Sequence, residues 1–318
     1  MVRRPIRKER SLCAKQRRGR FAGFALAIVC AVGATFGARA AERQRVWHFA
    51  ANENFDAAGA FLPSSAGFNL ADVSSRRELE LLPRGAMGLV WVGQCEGVTA
   101  KFEAVVGAII NHPKTFGFYL VDDPDPTGRW RTKCKASDLR AESDWIHRRR
   151  PGAITFVALM NVGSSASPSF SMAYRREVTH VDLFGVSPYP CRTHGLECDF
   201  DMIDRFVRAC RDAGIPSDRI VPTFQAFGGG EWHTDSGDAY RLPTSSEMQV
   251  MLERWNKLIP APVFDYAYSW GSQRSDVSLA DSADLKAVFG QHNRSRGPSS
   301  PVVETPRRER RSARLAAY

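Results

Sequence analysis

Three carboxylates stand together in the segment Asp122-Asp123-Pro124-Asp125-Pro126, directly after the apolar run Phe116–Val121. An apolar run rich in aromatic and β-branched residues predicts a buried strand, and Pro124 predicts where it stops. Adjacent carboxylates repel, so one of the pair Asp122/Asp123 is expected to hold its proton toward neutral pH. Such a pair can deliver a proton from one oxygen while keeping a charge on the next, which is acid–base chemistry. Clustered acids also suit Ca²⁺, so with Asp125 the same residues could bind that cation, or merely shape a loop.

The elements that must position these acids recur in a regular way. Eight short apolar runs are read as strands: 46–50, 67–71, 87–92, 116–121, 153–159, 180–186, 220–224 and 264–270. Helical patterns fill most of the gaps. Ser75 with Glu78 and Thr244 with Glu247 have the spacing of capping boxes. Phe102, Val105, Val106 and Ile109 fall at helical spacing, and Gly214 followed by Pro216 ends a further helix. Alternating strands and helices with eight strands predict the α/β class and a single closed (β/α)8 TIM barrel over residues 41–292. An open doubly wound sheet is the other candidate, but no Gly-rich phosphate turn follows an early strand.

In such a barrel the C-terminal strand tips carry function. Those positions hold Asn52 and Glu53, Asp72, Gln94 and Glu96, Asp122 and Asp123, Asn161, Ser187 and Tyr189, Gln225 and Trp270 in strand order. Amides and carboxylates beside aromatic rings suit a sugar, whose hydroxyls need polar partners and whose C–H faces need rings. Asn161 and Gln225 are expected to hydrogen-bond a ligand. Tyr189 is held between Pro188 and Pro190, and Trp270 either contacts sugar or packs the barrel closed. His48 sits inside the first strand and is expected to be a satisfied interior histidine. His233 lies on a loop with no assigned role.

Residues 45–292 resemble the glycoside hydrolase (β/α)8 superfamily, through Phe118-Tyr119-Leu120-Val121-Asp122-Asp123-Pro124, Val186-Ser187-Pro188-Tyr189-Pro190 and Tyr268-Ser269-Trp270-Gly271. The resemblance implies hydrolysis of glycosidic bonds in a carbohydrate. Retaining members of the large clan with this fold carry an acid/base Glu at the fourth strand tip and a nucleophile Glu at the seventh. Asp123 matches the first position with Asp for Glu. Gln225 falls near the second, and an amide cannot be a carboxylate nucleophile. Glu231, in the loop Gly228-Gly229-Gly230-Glu231-Trp232-His233, could supply the missing acid. Some barrel hexosaminidases instead use two adjacent acids after strand four: one protonates the leaving oxygen while the other holds the substrate's own acetamido group as nucleophile. Asp123 and Asp122 fit those roles. The competing reading is a catalytically inactive barrel that binds carbohydrate or calcium.

The ends of the chain differ from the body. Residues 1–40 hold ten Lys/Arg against one Glu, then the mostly apolar run 21–37 and Ala38-Arg39-Ala40, which together read as a cleaved export signal. Residues 293–318 hold seven Arg against two Glu with little that is apolar, and read as a disordered basic tail. Of the formal +10, these two ends take about +14, so the body carries about −4. A nucleic-acid partner needs its basic charge on the folded surface, so none is expected. The expected location is secreted or periplasmic, with no stable membrane insertion after signal cleavage. There Cys95 could pair with Cys134 and Cys191 with Cys198, while Cys210 falls on a helix's apolar stripe. No zinc spacing or cofactor motif appears, so neither a metal nor a cofactor is expected.

Overall fold

A computed structural model describes residues 46–296 except 196, 235 and 236. The expected export signal and most of the basic tail lie outside the described residues. Eight parallel strands close into one barrel in chain order: β1 Trp47–Ala50, β2 Leu70–Val73, β3 Met87–Trp91, β4 Thr115–Asp122, β5 Ile154–Ala158, β6 Leu183–Val186, β7 Ile220–Gln225 and β8 Phe264–Tyr268. Closure is through β8, whose Phe264 to Ala267 pair with Trp47 to Ala50. The expected TIM barrel is therefore the observed fold.

Helices cover the outside: α1 Arg76–Leu81, α2 Ala100–Gly107, α3 Ala136–Arg149, α4 Arg176–Thr179, α5 Asp201–Asp212, α6 Ser245–Leu258 and α7 Ala283–Arg296. Both expected capping boxes form, Ser75 with Glu78 and Thr244 with Glu247. Two strands start three residues after the beginning of their apolar runs. Gly67 caps a 3-10 turn with a left-handed φ of 77°, and His180 caps α4 at 56°, so β2 begins at Leu70 and β6 at Leu183. Helix α7 takes four residues beyond 292. Its Asn293 is buried, and its side-chain amide donates to Ala66 O at 2.9 Å.

Strand alternation sorts the core into two layers. Phe49, Leu70, Leu89, Tyr119, Phe156, Phe264 and Tyr266 plug the barrel, while Phe118, Leu120, Phe184 and Phe224 face the helices. Gly185 makes room for the plug: a Cβ there would meet the Phe156 ring at 2.8 Å. The alternation of β4 is interrupted against β3, where Phe116 is extra between Thr115 and Gly117, and again against β5. Tyr119 pairs with Phe156 and Val121 with Val157, so Leu120 is an extra residue. This bulge puts Tyr119 and Asp122, three apart, on one interior face, where simple alternation would oppose them.

Both suggested disulfides are present. Cys95–Cys134 ties the loop after β3 to the loop after β4, and Cys191–Cys198 closes the loop after β6. Cys210 is buried on α5, and burial pushes its thiol up to about 12, so it packs as an apolar residue. His48 is buried between barrel and helices, with Nδ1 at 2.8 Å from Asp265 Oδ1; His292 Nε2 lies 3.0 Å from the other oxygen. Among the described residues no helix is long and apolar enough to cross a membrane.

Candidate active site

Two clefts meet at the tip of β4. The first is a cavity of about 440 Å³ lined by Glu53, Asp72, Trp91, Tyr119, Asp122, Tyr266 and Tyr268, among others. The second, of about 470 Å³, is lined by Asp123, Trp130, Arg131, Asn161, Tyr189, Arg192 and His233, among others. Each has the volume of a small-molecule site. Neighbouring residues thus serve different clefts: Asp122 ends the strand facing the barrel axis, and Asp123 leaves it in a left-handed conformation, φ 47°. Its N–H still bonds Ala158 O at 3.0 Å, which holds the turn against β5.

The floor of the first cleft continues the barrel plug. Tyr119 Oη donates to Asp122 Oδ1 at 2.8 Å, the bond the bulge makes possible. Burial, and then the charge of Asp122, push the Tyr119 hydroxyl well above its ordinary value, so it stays a donor. Tyr266 and Tyr268 follow Phe264 on the same face of β8. Trp91, at the tip of β3, is 38% exposed and meets the Tyr119 ring edge-on at 4.8 Å. Opposite, Asn52 and Glu53 leave β1 with φ of 67° and 48°. Such residues cost about 1 kcal/mol or more each and persist only where contacts fix them. Here Asn52 N donates to Asp72 Oδ2 at 3.1 Å, and Asn52 Oδ1 accepts from Gln273 at 2.8 Å. Glu53 lies over Gly271, where a Cβ would stand 2.4 Å from its own Cβ.

Desolvation is the main influence on the acids. It raises Asp72 to about 6, against the Asn52 N–H that favours the charge. It raises Asp122, opposed by the Tyr119 hydroxyl and Arg131. Asp123 is raised to about 7, by desolvation first and the charge of Asp122 second, with Arg131 opposing. The side chain of Asp123 remains 43% exposed to the cleft, and Arg131 Nη2 stands 3.8 Å from its Oδ2. Asp123 can therefore carry a proton at neutral pH and still reach a ligand.

A loop folded around Asp125 forms one wall of the second cleft. Asp125 Oδ1 accepts from Thr127 N, Thr127 Oγ1 and Gly128 N, and Oδ2 from Trp130 N and Arg131 N. Those donors hold the carboxylate well below its usual range despite desolvation. Both of its oxygens are taken by the loop, so Asp125 does not offer a ligand to the calcium site considered with Asp122 and Asp123. The loop ends at Cys134, whose N–H returns to Asp125 O at 2.9 Å. Beyond the disulfide, the buried Glu142 Oε1 accepts from Glu96 N and Gly97 N at 3.1 and 3.0 Å, and burial pushes its carboxyl up to about 8.

The structure brings some of the expected ligand residues together and separates others. Asn161 and Tyr189 line the second cleft with Asp123. Asn161 Oδ1 is taken by Gly163 N and Ser169 N, which leaves its amide nitrogen to offer a ligand. Tyr189 stacks on Tyr268 with centroids 6.0 Å apart, so the two rings join the clefts on the side away from β4. Gln225 is 0% exposed and lines neither cleft. Its Oε1 accepts from Cys191 N at 2.8 Å, and its Nε2 donates to Cys191 O at 2.9 Å and Arg241 O at 3.0 Å. Trp270 is 4% exposed in the outer layer, edge-on to Phe68, because β8 ends at Tyr268 and the chain turns outward. Glu231 is exposed on its loop, with its backbone N–H on Arg274 O, and lines neither cleft. The sequence reading gave no role to Tyr119, Tyr266, Tyr268, Trp91, Arg131 or Arg192. Alternation along β8 would have found its two tyrosines.

No protein-family model matches the chain. No curated protein matches it either. Solved structures do. The spore cortex-lytic enzyme SleL of Bacillus megaterium is similar over 81% of this chain and 75% of its own, at 8% identity and a TM-score of 0.50. A chitinase of Rhizomucor miehei covers 79% and 100%, at 11% identity and 0.49. The GH18 chitinase ChiB of Flavobacterium johnsoniae covers 79% and 94%, at 9% identity and 0.48. At these identities the shared feature is the fold, the (β/α)8 barrel that glycoside hydrolases use.

Proposed function

We propose that this protein is an exported glycoside hydrolase that cleaves a β-linked N-acetylhexosaminide, with the substrate's acetamido group as nucleophile. The observation that carries the proposal is the division of Asp122 and Asp123 between two adjoining clefts. The first cleft takes the sugar whose bond is broken, with its ring beside Trp91 and its acetamido group over Tyr119, Tyr266 and Tyr268. Asp122, fixed by Tyr119, accepts the acetamido N–H and aims the carbonyl oxygen at C1. That oxygen forms its bond to C1 as the bond to the leaving oxygen breaks. Asp123 gives its proton to the leaving oxygen, whose sugar lies in the second cleft. Water then attacks C1 and returns a proton to Asp123, and the acetamido group is restored. No carboxylate on β7 is required, which fits the burial of Gln225 under its loops. The two disulfides fit action outside the cytoplasm, where such bonds persist.

The test is hydrolysis of paired aryl glycosides, identical except for an N-acetyl or a hydroxyl group at C2. Turnover confined to the N-acetyl member, and lost in Asp123→Asn, supports the assignment. Equal turnover of both members contradicts it and moves the nucleophile to a carboxylate, with Asp72 the first residue to replace. Glycan binding with no turnover of any substrate leaves a carbohydrate-binding barrel.

A further inference from the structure

The two clefts differ in charge. The charged side chains lining the first are Glu53, Asp72, Glu78 and Asp122, with no Lys or Arg. The second holds Asp123 with Arg131 and Arg192. Arg131 faces Asp123, but Arg192 is differently placed. Its Nε donates to Tyr189 O at a long 3.5 Å, one Nη lies 3.9 Å from Met202 Sδ, and its guanidinium carbon stands 5.8 Å from the Tyr240 ring centroid. Among the described residues no carboxylate pairs with it, whereas Arg205 and Arg241 each hold one at 2.5 Å. A guanidinium fork that no described carboxylate pairs with, inside a cleft, is suited to a ligand's carboxylate.

The backbone beside Arg192 is fixed from below. Gln225 clamps both the N–H and the carbonyl of Cys191, and the Cys191–Cys198 disulfide closes the loop. Gln225 is thus a positioning residue for Arg192. The Asp125 loop lines the same cleft with Trp130, 50% exposed and with its ring centroid 5.1 Å from the Arg129 guanidinium carbon, a ring on which a sugar can stack.

We infer that the second cleft is a subsite for a sugar that carries a carboxylate, read by Arg192 beside the stacking ring of Trp130. The inference rests on the hydrolase reading for which side of the bond that sugar occupies, but its binding stands apart from turnover. The enzyme then prefers a glycan in which an N-acetylhexosamine is followed by an acidic sugar over an all-neutral one. Two chemistries present such a group: a lactyl ether on the ring, as in N-acetylmuramic acid, and an oxidised C6, as in glucuronic acid.

Titration calorimetry on the full chain, carrying Asp123→Asn to prevent turnover, compares three tetrasaccharides. One is all N-acetylglucosamine, one alternates it with N-acetylmuramic acid, and one alternates it with glucuronic acid. At least one acidic probe is expected to bind ten-fold or more tighter than the neutral one, and the preferred probe identifies the source. Adding Arg192→Gln should shrink that preference to less than three-fold, while Arg192→Lys keeps part of it. Near-identical circular dichroism spectra and melting temperatures establish that the variants fold. Equal or tighter binding of the neutral probe, or a preference that survives Arg192→Gln, overturns the subsite. So does binding of none of the three. The same probes are then offered to the chain with Asp123 intact. Acidic preference without hydrolysis keeps the subsite and removes the hydrolase reading; hydrolysis without acidic preference does the reverse.

Discussion

The two clefts share a strand tip and little else. The first is built from the barrel itself: Tyr119, Tyr266 and Tyr268 continue the interior plug upward, and Asp122 ends the same face of β4. The second is built from loops, held by two disulfides, the Asp125 turn and the clamp that Gln225 makes from the tip of β7. One is acidic with aromatic walls; the other carries guanidinium groups. The contrast teaches how one fold separates two tasks. In the proposed reaction the rigid sheet would fix the group that must be aimed, and the loops would supply the contacts that choose the neighbouring sugar.

The sharpest way to break the comparison is at Asp123. Asp123→Asn should lower kcat/KM on an unactivated glycoside by about 10²–10⁴, with a smaller loss on an aryl glycoside that leaves without a proton. Equal losses on both would remove the general-acid role. Next is the clamp. Gln225→Glu places a carboxylate where Cys191 O and Arg241 O accept hydrogen bonds from the amide. It should cost about 3–5 kcal/mol of stability, read by denaturant unfolding, and create no new nucleophile. A gain in activity would mean that the sheet, not the loops, owns this residue.

The pH profile sharpens the link between the clefts. In the proposed mechanism Asp123 acts protonated; it is raised to about 7, so kcat/KM should fall as pH rises through about 7. The charge of Asp122 is one cause of that shift, so Asp122→Asn should move the alkaline limb to lower pH as well as slow turnover. A limb that stays in place would uncouple the two acids.

The loop after β3, which the Cys95–Cys134 disulfide joins to the loop after β4, can be tested at Glu142. Its folded value of about 8 lies above the unfolded one, so the proton is held in the folded state. Stability is then highest below about 4.5, falls between there and about 8, and is level above. Glu142→Gln should flatten that slope, raising stability on the order of 1–3 kcal/mol at pH 8 relative to the parent. A slope unchanged in the variant would assign it to another group. The smallest effect is at the first cleft's rim, where Trp91→Ala should weaken glycan binding by about 1 kcal/mol, roughly five-fold.

The barrel was legible because its evidence is local: each strand is an apolar run and each helix carries its own spacing or cap. Asp122 and Asp123 were legible for the same reason, since the run stops at Pro124. Their separation into two clefts was not, because it depends on Leu120 being an extra residue against β5, a matter of pairing between strands. Gln225 stands at a strand tip as expected, yet loops 34 and 16 residues away arch over it and take its polar atoms. Nothing near Gln225 in the chain announces those partners. Trp270 was read as the end of the last strand, and two residues of turn were enough to send it to the outer layer. Asp125 stands in the same acidic run, but its neighbours Thr127 and Gly128 fold back onto it.

In the proposed reaction Asp122 and Asp123 do different work from different clefts. The most direct measurement is the affinity of a hexosamine-derived thiazoline, a stable mimic of the cyclised acetamido intermediate, for the parent protein, Asp122→Asn and Asp123→Asn. The parent should bind the thiazoline tightly, with a loss of about 100-fold in Asp122→Asn and a change of less than about three-fold in Asp123→Asn. Equal losses in both variants, or binding indifferent to Asp122, would contradict that division of work.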